Sequence, residues 1–177
     1  MTGSRSDRGA RAERLPVTYM ELREAPAPAP LRLKPERIGL EVLTRAAYLD
    51  LYRRVGEPLR WDQRLLMPEA ALETLLAGGN LHIYVVRDGT GGPLGFCEFE
   101  RSAFPEIELK HFGLVPEAQG HGIGTWLLRV ALRQQWDSGA TRIWLHTDPW
   151  DHPAAVPVYR CAGFKVYDIR EESVEFL

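Results

Sequence analysis

The sequence has little of several features that mark specialised classes of protein. Only Cys97 and Cys161 are cysteines among 177 residues, and both stand among apolar neighbours. We therefore predict two small buried side chains and no disulfide framework. The five histidines are scattered and none has zinc-site spacing with a cysteine, so no metal site is predicted. No apolar run approaches the ~20 residues of a membrane span.

Excess charge of either sign is also absent. The formal net charge is −2, which gives no basis for electrostatic capture of nucleic acid or an anionic membrane. The first 14 residues carry four arginines without a following apolar segment, unlike a secretory signal. We therefore expect a cytoplasmic protein with neither nucleic acid nor membrane among its partners.

The length and composition fit one globular domain with flanking sequence. Hydrophobic residues make up 45% and charged residues 26%, as in average soluble proteins. We predict a disordered tail at residues 1–15, rich in Arg, Ser and Gly. Residues 16–37 are predicted to hold an edge strand at 17–22 and a proline-rich spacer at 25–30. The folded domain is then predicted to span residues 38–177, with its core beginning near Ile38.

Apolar spacing and turn residues predict the remaining elements. Helices are expected within residues 44–56, 68–79, 122–138 and 153–162. Strands are expected at residues 38–43, 81–87, 94–101, 106–115, 143–147 and 164–169, with a hairpin turn at 88–92. A strand–helix–strand order implies local parallel pairing. The fold class is therefore predicted as α/β with a mixed sheet.

The strand at 106–115 changes the parity of its apolar residues. Ile107 and Leu109 are at odd positions, whereas Phe112 and Leu114 are at even ones. Side chains alternate faces with a period of two, so the change requires one extra residue. We predict a β-bulge near Lys110 and His111.

Three alternating glycines, Gly120, Gly122 and Gly124, lie between this strand and the next predicted helix. Glycine lets main-chain N–H groups face one concavity, and the helix start adds partial positive charge. The pattern indicates a phosphate or pyrophosphate site. A P-loop would need Lys and then Ser or Thr, and a dinucleotide fingerprint would need a glycine at position 125, which is Thr. A glycine-rich turn that only enters a helix remains the alternative.

The loop Gln119-Gly120-His121-Gly122-Ile123-Gly124 resembles the Gln/Arg-x-x-Gly-x-Gly/Ala signature of the GCN5-related N-acetyltransferases, the GNAT superfamily. The lead-in at 112–117 and the segment at 155–164, with its Tyr and Gly-Phe, are similar to that family too. The resemblance covers about residues 38–170. It departs at His152, where the family commonly has Asn, and at Pro157, which we expect to remove a helical hydrogen bond and bend the last helix.

The resemblance implies a mostly antiparallel central sheet with helices on both faces and a bulged, splayed cofactor strand. It implies an enzyme, an acyl-CoA-dependent N-acetyltransferase, that moves an acetyl or short acyl group to an amine in a ternary complex. A homodimer is left open, and the acceptor is a small amine or a peptide. The residues expected to bind acetyl-CoA are Phe112, Gly113, Leu114, Gln119, Gly120, His121, Gly122, Ile123, Gly124, Thr125 and His152.

Catalytic roles are predicted for Tyr159 and Glu108. A phenol is protonated at neutral pH and can donate to the leaving thiolate, so Tyr159 is the predicted acid. Glu108 is the predicted base, acting directly or through water. Glu98, Glu100 and His111 are rivals, and a reaction without a dedicated base is also open. The resemblance makes the Leu114 amide the candidate oxyanion donor.

Two segments that pair acidic residues with tryptophan, 60–62 and 148–151, are candidates for acceptor recognition. Charge and cation–π contact there suit a cationic amine. Two other functions remain open at this point. One is a non-catalytic acyl-CoA-binding or sensing module, and the other is an interaction domain with a vestigial loop.

Overall fold

A computed structural model describes residues 11–29 and 36–176. The strands are β1 (Arg11–Leu22), β2 (Arg37–Glu41), β3 (Leu81–Arg87), β4 (Pro93–Glu100), β5 (Glu106–Leu114), β6 (Arg142–Thr147) and β7 (Lys165–Phe176). The helices are α1 (Arg45–Gly56), α2 (Glu69–Ala77), α3 (Ile123–Asp137) and α4 (Ala155–Cys161), with short 3₁₀ turns at Glu57–Leu59 and Pro116–Ala118.

One seven-stranded sheet runs through the described part of the chain in the order β2-β3-β4-β5-β6-β1-β7. All neighbours are antiparallel except β5 and β6, which are parallel across the α3 crossover. The predicted α/β class and the mostly antiparallel mixed sheet are confirmed. The later strand–helix–strand unit, β6-α4-β7, passes over one strand because β1 lies between β6 and β7.

The position and length of β1 correct three predictions. Residues 17–22 are not an edge strand, because β1 pairs with β6 on one side and with β7 on the other. The core does not begin near Ile38 either, because Met20 and Leu22 are buried in it. The strand also includes residues 11–15, so the disordered-tail prediction is wrong for these five residues. Residues 1–10 of that tail, and 30–35 of the predicted spacer region, lie outside the described residues.

The two faces of the sheet are covered by different helices. Thr44 Oγ1 accepts the Ala47 N–H at 3.3 Å and starts α1, whose Tyr48 and Tyr52 are buried near Phe96 of β4. On the other face, Gln135 of α3 donates to the Tyr84 hydroxyl of β3 at 2.9 Å. The helices on both faces therefore hold the sheet between them. We call these the α1 face and the α3 face.

The predicted bulge is confirmed at Lys110. Glu98 of β4 pairs with His111, but the next residue, Phe99, pairs with Leu109, so Lys110 is the extra residue. Beyond it β5 and β6 separate, since their pairing is confined to Glu106–Glu108 against Arg142–Trp144. The remaining part of β5 therefore borders an opening in the sheet, which we call the strand gap.

Two expectations about the last helix are corrected. Pro157 is the third residue of α4, and N–H groups in the first turn have no intrahelical acceptor, so the proline removes no helical hydrogen bond. Cys161 at the end of this helix is exposed rather than buried, whereas Cys97 is buried as predicted.

Candidate active site

A groove on the α3 face runs from the end of β5 to the start of α3 and along α4. Its cavity volume is about 310 Å³. It is lined by Leu59, Phe112, Gly113, Leu114, Gln119, Gly120, Gly122, Gly124, Thr125, Asp151, His152, Ala154, Ala155, Val158 and Tyr159. The predicted glycine loop and Tyr159 thus border the same groove.

The loop before α3 adopts a conformation that depends on glycine. Gly120 has φ +76° and Gly122 has φ +73°, both in the left-handed region. Gly122 is the N-cap of α3 and provides no side-chain cap, and Trp126 donates its N–H to the Gly122 carbonyl at 3.3 Å to close the first turn of the helix. The N–H groups before Trp126 have no intrahelical acceptor, so they suit an anion.

Space at the loop also fits a diphosphate. A side-chain carbon added at Gly120 would meet no atom within 4 Å, so this part of the groove is open. One added at Gly124 would approach Leu114 and Phe112 at 3.5 and 3.6 Å and narrow the groove. The residues present therefore fit the CoA pyrophosphate, which needs N–H donors and close approach to the main chain.

Nine of the eleven predicted cofactor residues line the groove, and two do not. The side chain of Ile123 is buried in the core, and His121 is exposed outside the groove lining. Gln119 donates its side-chain N–H to the Leu114 carbonyl at 3.2 Å, which ties the loop to the end of β5. His152 Nδ1 accepts the Ala154 N–H at 3.1 Å at the start of α4. Their contacts with a cofactor stay predictions.

Tyr159 lies at the inner wall of the groove. Its ring packs between Phe112 and Phe164, each at 6.0 Å between ring centroids, and the residue is 7% exposed. Burial, with a smaller contribution from the charge of Asp151, raises the pKa of Tyr159 above the usual value of a phenol. The hydroxyl is therefore protonated at neutral pH.

A second, smaller cavity of about 100 Å³ lies on the α1 face, and we call it the acidic cavity. The two predicted acceptor segments meet there: the Arg60 guanidinium lies over the Trp150 ring at 5.2 Å from its centroid. The cavity is lined by Tyr52, Leu59, Arg60, Trp61, Asp62, Gln63, Lys110, His111, Phe112, His146, Asp148, Trp150 and Asp151. It shares Leu59, Phe112 and Asp151 with the groove, so the two are adjacent.

A buried charged cluster supports one wall of the acidic cavity. Glu98 is fully buried and accepts hydrogen bonds from Tyr48 at 2.6 Å and Arg64 at 2.6 Å, while His111 Nδ1 lies 3.1 Å away. Burial acts to raise the pKa of Glu98, but His111, Arg64 and Tyr48 outweigh it and lower that pKa to about 2. The other ring nitrogen of His111 is 3.3 Å from the Tyr52 hydroxyl.

Glu108, the predicted base, does not line either cavity directly. It is 8% exposed, and Lys110 Nζ donates to its two oxygens at 3.1 and 3.0 Å. His146 Nδ1 of β6 is 3.3 Å from Glu108 Oε1. Burial acts to raise the pKa of Glu108, but hydrogen bonds from His146 and Lys110 and their charges outweigh it and lower that pKa. The carboxylate is therefore ionised and weakly basic.

Sequence reasoning missed His146 and the part played by Arg64. Neither belongs to a motif, and both reach the site through non-local pairing. The one available signal was that His146 follows Trp144 at a spacing of two, which puts both residues on one face of β6. The register of β6 on β5 was needed to place them beside Glu108.

A membrane-spanning helix and a cluster of metal-ligating side chains are both absent from residues 11–29 and 36–176. No helix there is both long and apolar enough to cross a membrane. The same ranges contain no group of three or more His, Cys, Asp or Glu residues arranged to hold a metal ion.

The sequence matches the family model of the acetyltransferase (GNAT) family over residues 45–164. No curated protein matches it. Solved structures with a similar fold include a GCN5-related N-acetyltransferase from Sphaerobacter thermophilus, at TM-score 0.62 and 21% identity over 94% of this chain and 52% of that one. A tandem GNAT protein from the clavulanic acid biosynthesis pathway has TM-score 0.62 and 19% identity over 94% of this chain and 55% of that one.

A GNAT-family acetyltransferase from Streptococcus pneumoniae is closer in length. It has TM-score 0.54 and 23% identity, with 73% of this chain and 87% of that one covered. By contrast, the chain spans about half the length of the Sphaerobacter and tandem structures. At these identities the likeness shows the shared fold, and it agrees with the mostly antiparallel sheet described above.

Proposed function

This chain belongs to the acetyltransferase (GNAT) family, and from that premise we propose that it transfers an acetyl or other short acyl group from acyl-CoA to an amine by direct attack in a ternary complex. The observation that carries the proposal is the adjacency of the groove and the acidic cavity, which share Phe112 and Asp151 at the strand gap. A donor in the groove and an acceptor in the acidic cavity could be bound at the same time, with their reacting groups in contact where the two spaces adjoin.

Acetyl-CoA would supply an activated thioester, and the groove offers residues to hold it. The loop of Gly120, Gly122 and Gly124 would bind the pyrophosphate through main-chain N–H groups. The main chain of β5 beyond the bulge would pair with the pantetheine arm as an added strand would. That edge is free of β6, because the β5–β6 pairing ends at Glu108.

The main chain of Leu114 is oriented for the proposed oxyanion role. Val115 N–H donates to the Leu94 carbonyl of β4 at 2.9 Å. Main-chain groups of neighbouring strand residues point to opposite sides, so those of Leu114 point away from β4 and toward the strand gap. An amide donor at that position typically contributes about 3–4 kcal/mol to an acyl-transfer barrier.

Protons would move at two places. The Tyr159 hydroxyl, kept protonated by burial, would donate to the sulfur of the departing thiol. Glu108 would assist deprotonation of the amine only indirectly, because Lys110 and His146 lie between its carboxylate and the acidic cavity.

The acidic cavity favours a cationic amine as acceptor. Asp62, Asp148 and Asp151 line it together with Trp61 and Trp150, and these three carboxylates outnumber the two cations of the lining, Arg60 and Lys110. Burial and the nearby charge of Asp151 raise the pKa of Asp148. A bound cation would relieve the repulsion between these carboxylates and would contact the tryptophan rings.

A thiol-release assay with acetyl-CoA tests the proposal. We expect release that depends on the amine in a panel of cationic amines, and much weaker release with neutral or anionic nucleophiles of similar size. Acetyl-CoA binding measured by calorimetry in the same preparation is the control. Binding without release for any amine would contradict the transferase proposal and support an acyl-CoA-binding module instead.

A further inference from the structure

The predicted base and the acidic cavity are separated by two side chains. Glu108 has a side chain only 9% exposed and is absent from the cavity lining, whereas Lys110 and His146 both line the cavity. Lys110 is a cation that donates to Glu108 and cannot accept a proton in that state. His146 is therefore the group between Glu108 and the cavity that can accept one.

The orientation of the His146 ring is fixed by its neighbours. Nδ1 faces Glu108 Oε1 at 3.3 Å, and the ring lies 5.9 Å from Tyr19 and 6.4 Å from Trp144 between centroids. A carboxylate can only accept a hydrogen bond, so Nδ1 carries the proton in the neutral ring and Nε2 carries the lone pair. Within the described residues Nε2 has no hydrogen-bond partner, and the side chain is 39% exposed.

The other histidine of the cavity is differently placed. His111 is 7% exposed, with Nδ1 at 3.1 Å from Glu98 and Nε2 at 3.3 Å from the Tyr52 hydroxyl. Both of its nitrogens are engaged, so it offers no free lone pair to an acceptor. Its contacts suit a wall of the cavity rather than a proton acceptor.

We propose that His146 is the general base of this enzyme and that Glu108 is a positioning residue that holds its tautomer and orientation. The inference rests on the proposed function. In the step, Nε2 of His146 takes a proton from the ammonium form of the acceptor, and the freed lone pair of the amine bonds to the thioester carbonyl carbon. As the carbon–sulfur bond breaks, the thiolate takes the proton of Tyr159, and the tyrosinate takes the second proton from the attacking nitrogen, which becomes the amide nitrogen. His146 then releases its proton to solvent.

The charges around His146 suit an imidazolium formed in this step. Glu108 and Lys110 face it from β5, Tyr19 from β1, and Asp148 from the segment after β6. Two carboxylates and one ammonium thus surround the ring. The transferred proton is therefore held near negative charge.

The kinetic test compares His146→Gln, Glu108→Gln and the control His82→Gln, whose histidine bonds to Gln135 of α3 away from the cavity. For His146→Gln we expect kcat to fall about 100-fold, as for loss of a general base, with the KM of the amine within about twofold of wild type. Glu108→Gln should lower kcat about 10-fold, and imidazole added to His146→Ala should restore part of the rate, which a purely structural role of His146 would not allow.

Each result either supports or contradicts the assignment of His146 as the general base. An unchanged kcat in His146→Gln, a change in KM alone, or no rescue of His146→Ala by imidazole would overturn the assignment. Nitrogen NMR of the resting protein gives a second measurement that needs no turnover: the Nδ1–H tautomer of His146 is expected, and the Nε2–H tautomer would overturn the inference. Absence of amine-dependent thiol release in wild type would contradict the proposed function itself, and the tautomer would still test the placement of His146.

Discussion

Gly120 and Gly79 share a backbone conformation but differ in their surroundings. Their φ angles are +76° and +74°, and a side-chain carbon added to either would meet no atom within 4 Å. Gly120 borders the groove, whereas Gly79 lies after α2 and lines neither cavity. Substitutions at these two glycines therefore distinguish the effect of backbone strain on stability from an effect on ligand binding.

We expect Gly120→Ala to weaken acetyl-CoA binding at least 10-fold, because the new methyl group occupies the space through which a phosphate reaches the main chain. Gly79→Ala has the same backbone strain, about 1–2 kcal/mol, and should leave the affinity unchanged. Calorimetric titration with acetyl-CoA and thermal unfolding measure the two effects. Equal affinities in both variants would remove the glycine loop from the binding site.

A variant at Tyr159 can distinguish a role of this residue in proton donation from a role in packing. Tyr159→Phe keeps the ring between Phe112 and Phe164 and removes only the hydroxyl. We expect kcat to fall about 100-fold with the acetyl-CoA affinity within about twofold of wild type. Phe164→Leu, which alters the packing of the same ring but removes no hydroxyl, serves as the control. A wild-type kcat in Tyr159→Phe would assign the acid role to another group or to water.

At the scale of elements, Glu98 connects α1, the segment before α2, β4 and β5. Its partners Tyr48, Arg64 and His111 come from three of these parts, so the buried carboxylate fixes their relative positions. The Nε of Arg64 is buried without a hydrogen-bond partner, so this guanidinium depends on Glu98 for charge compensation. The cluster thereby holds the wall that carries His111.

The pH dependence of unfolding tests this cluster. The pKa of Glu98 is lowered from 4.5 to about 2 in the folded protein, so its stabilisation is fully present above pH 4.5 and is lost as pH falls toward 2. The shift corresponds to about 3 kcal/mol. Glu98→Gln should reduce the free energy of unfolding by about 3–5 kcal/mol at pH 7 and by much less near pH 2.5.

Urea unfolding at the two pH values measures the difference. Glu100→Gln, two residues further along the same strand, is the matched control and should change stability by less than about 0.5 kcal/mol. An equal loss at both pH values in Glu98→Gln would mean that packing rather than charge explains the effect.

Local patterns predicted some elements well and others not at all. The bulge at Lys110 followed from the parity of Ile107, Leu109, Phe112 and Leu114, because alternation is a property of the strand itself. The acidic cavity forms where segments 60–62 and 148–151 come together. Their acidic and aromatic residues are visible in the sequence, but their proximity in the fold is not. The burial of Glu108 behind Lys110 and His146 depends on the β5–β6 register, which no local pattern encodes.

At the scale of the whole molecule, β1 completes the sheet. It contributes four buried apolar side chains, those of Leu15, Val17, Met20 and Leu22. In the described residues β7 pairs with β1 alone, so β7 depends on it. The sequence favoured an edge strand here because β1 is followed by prolines, and nothing local reveals that residues 165–176 return to pair with it.

A chain lacking residues 1–22 should therefore fail to fold. Loss of the four buried side chains alone removes roughly 6–12 kcal/mol of apolar burial, which is comparable to the total stability of a typical domain, about 5–15 kcal/mol. Circular dichroism and limited proteolysis would report the loss, and a chain lacking residues 1–10 is the control. A folded, cooperative fragment of residues 38–177 would instead support the domain boundary predicted at residue 38.

The strand gap also limits what a linked inhibitor can do. A compound that joins a thiol-bearing arm to an amine would need to thread the sheet, with its nucleotide end on the α3 face and its amine end on the α1 face. Each bound end would hold the other close to its own site, so the compound would rebind before both ends had left. Such a compound would therefore dissociate more slowly than either half alone, even if neither half bound tightly.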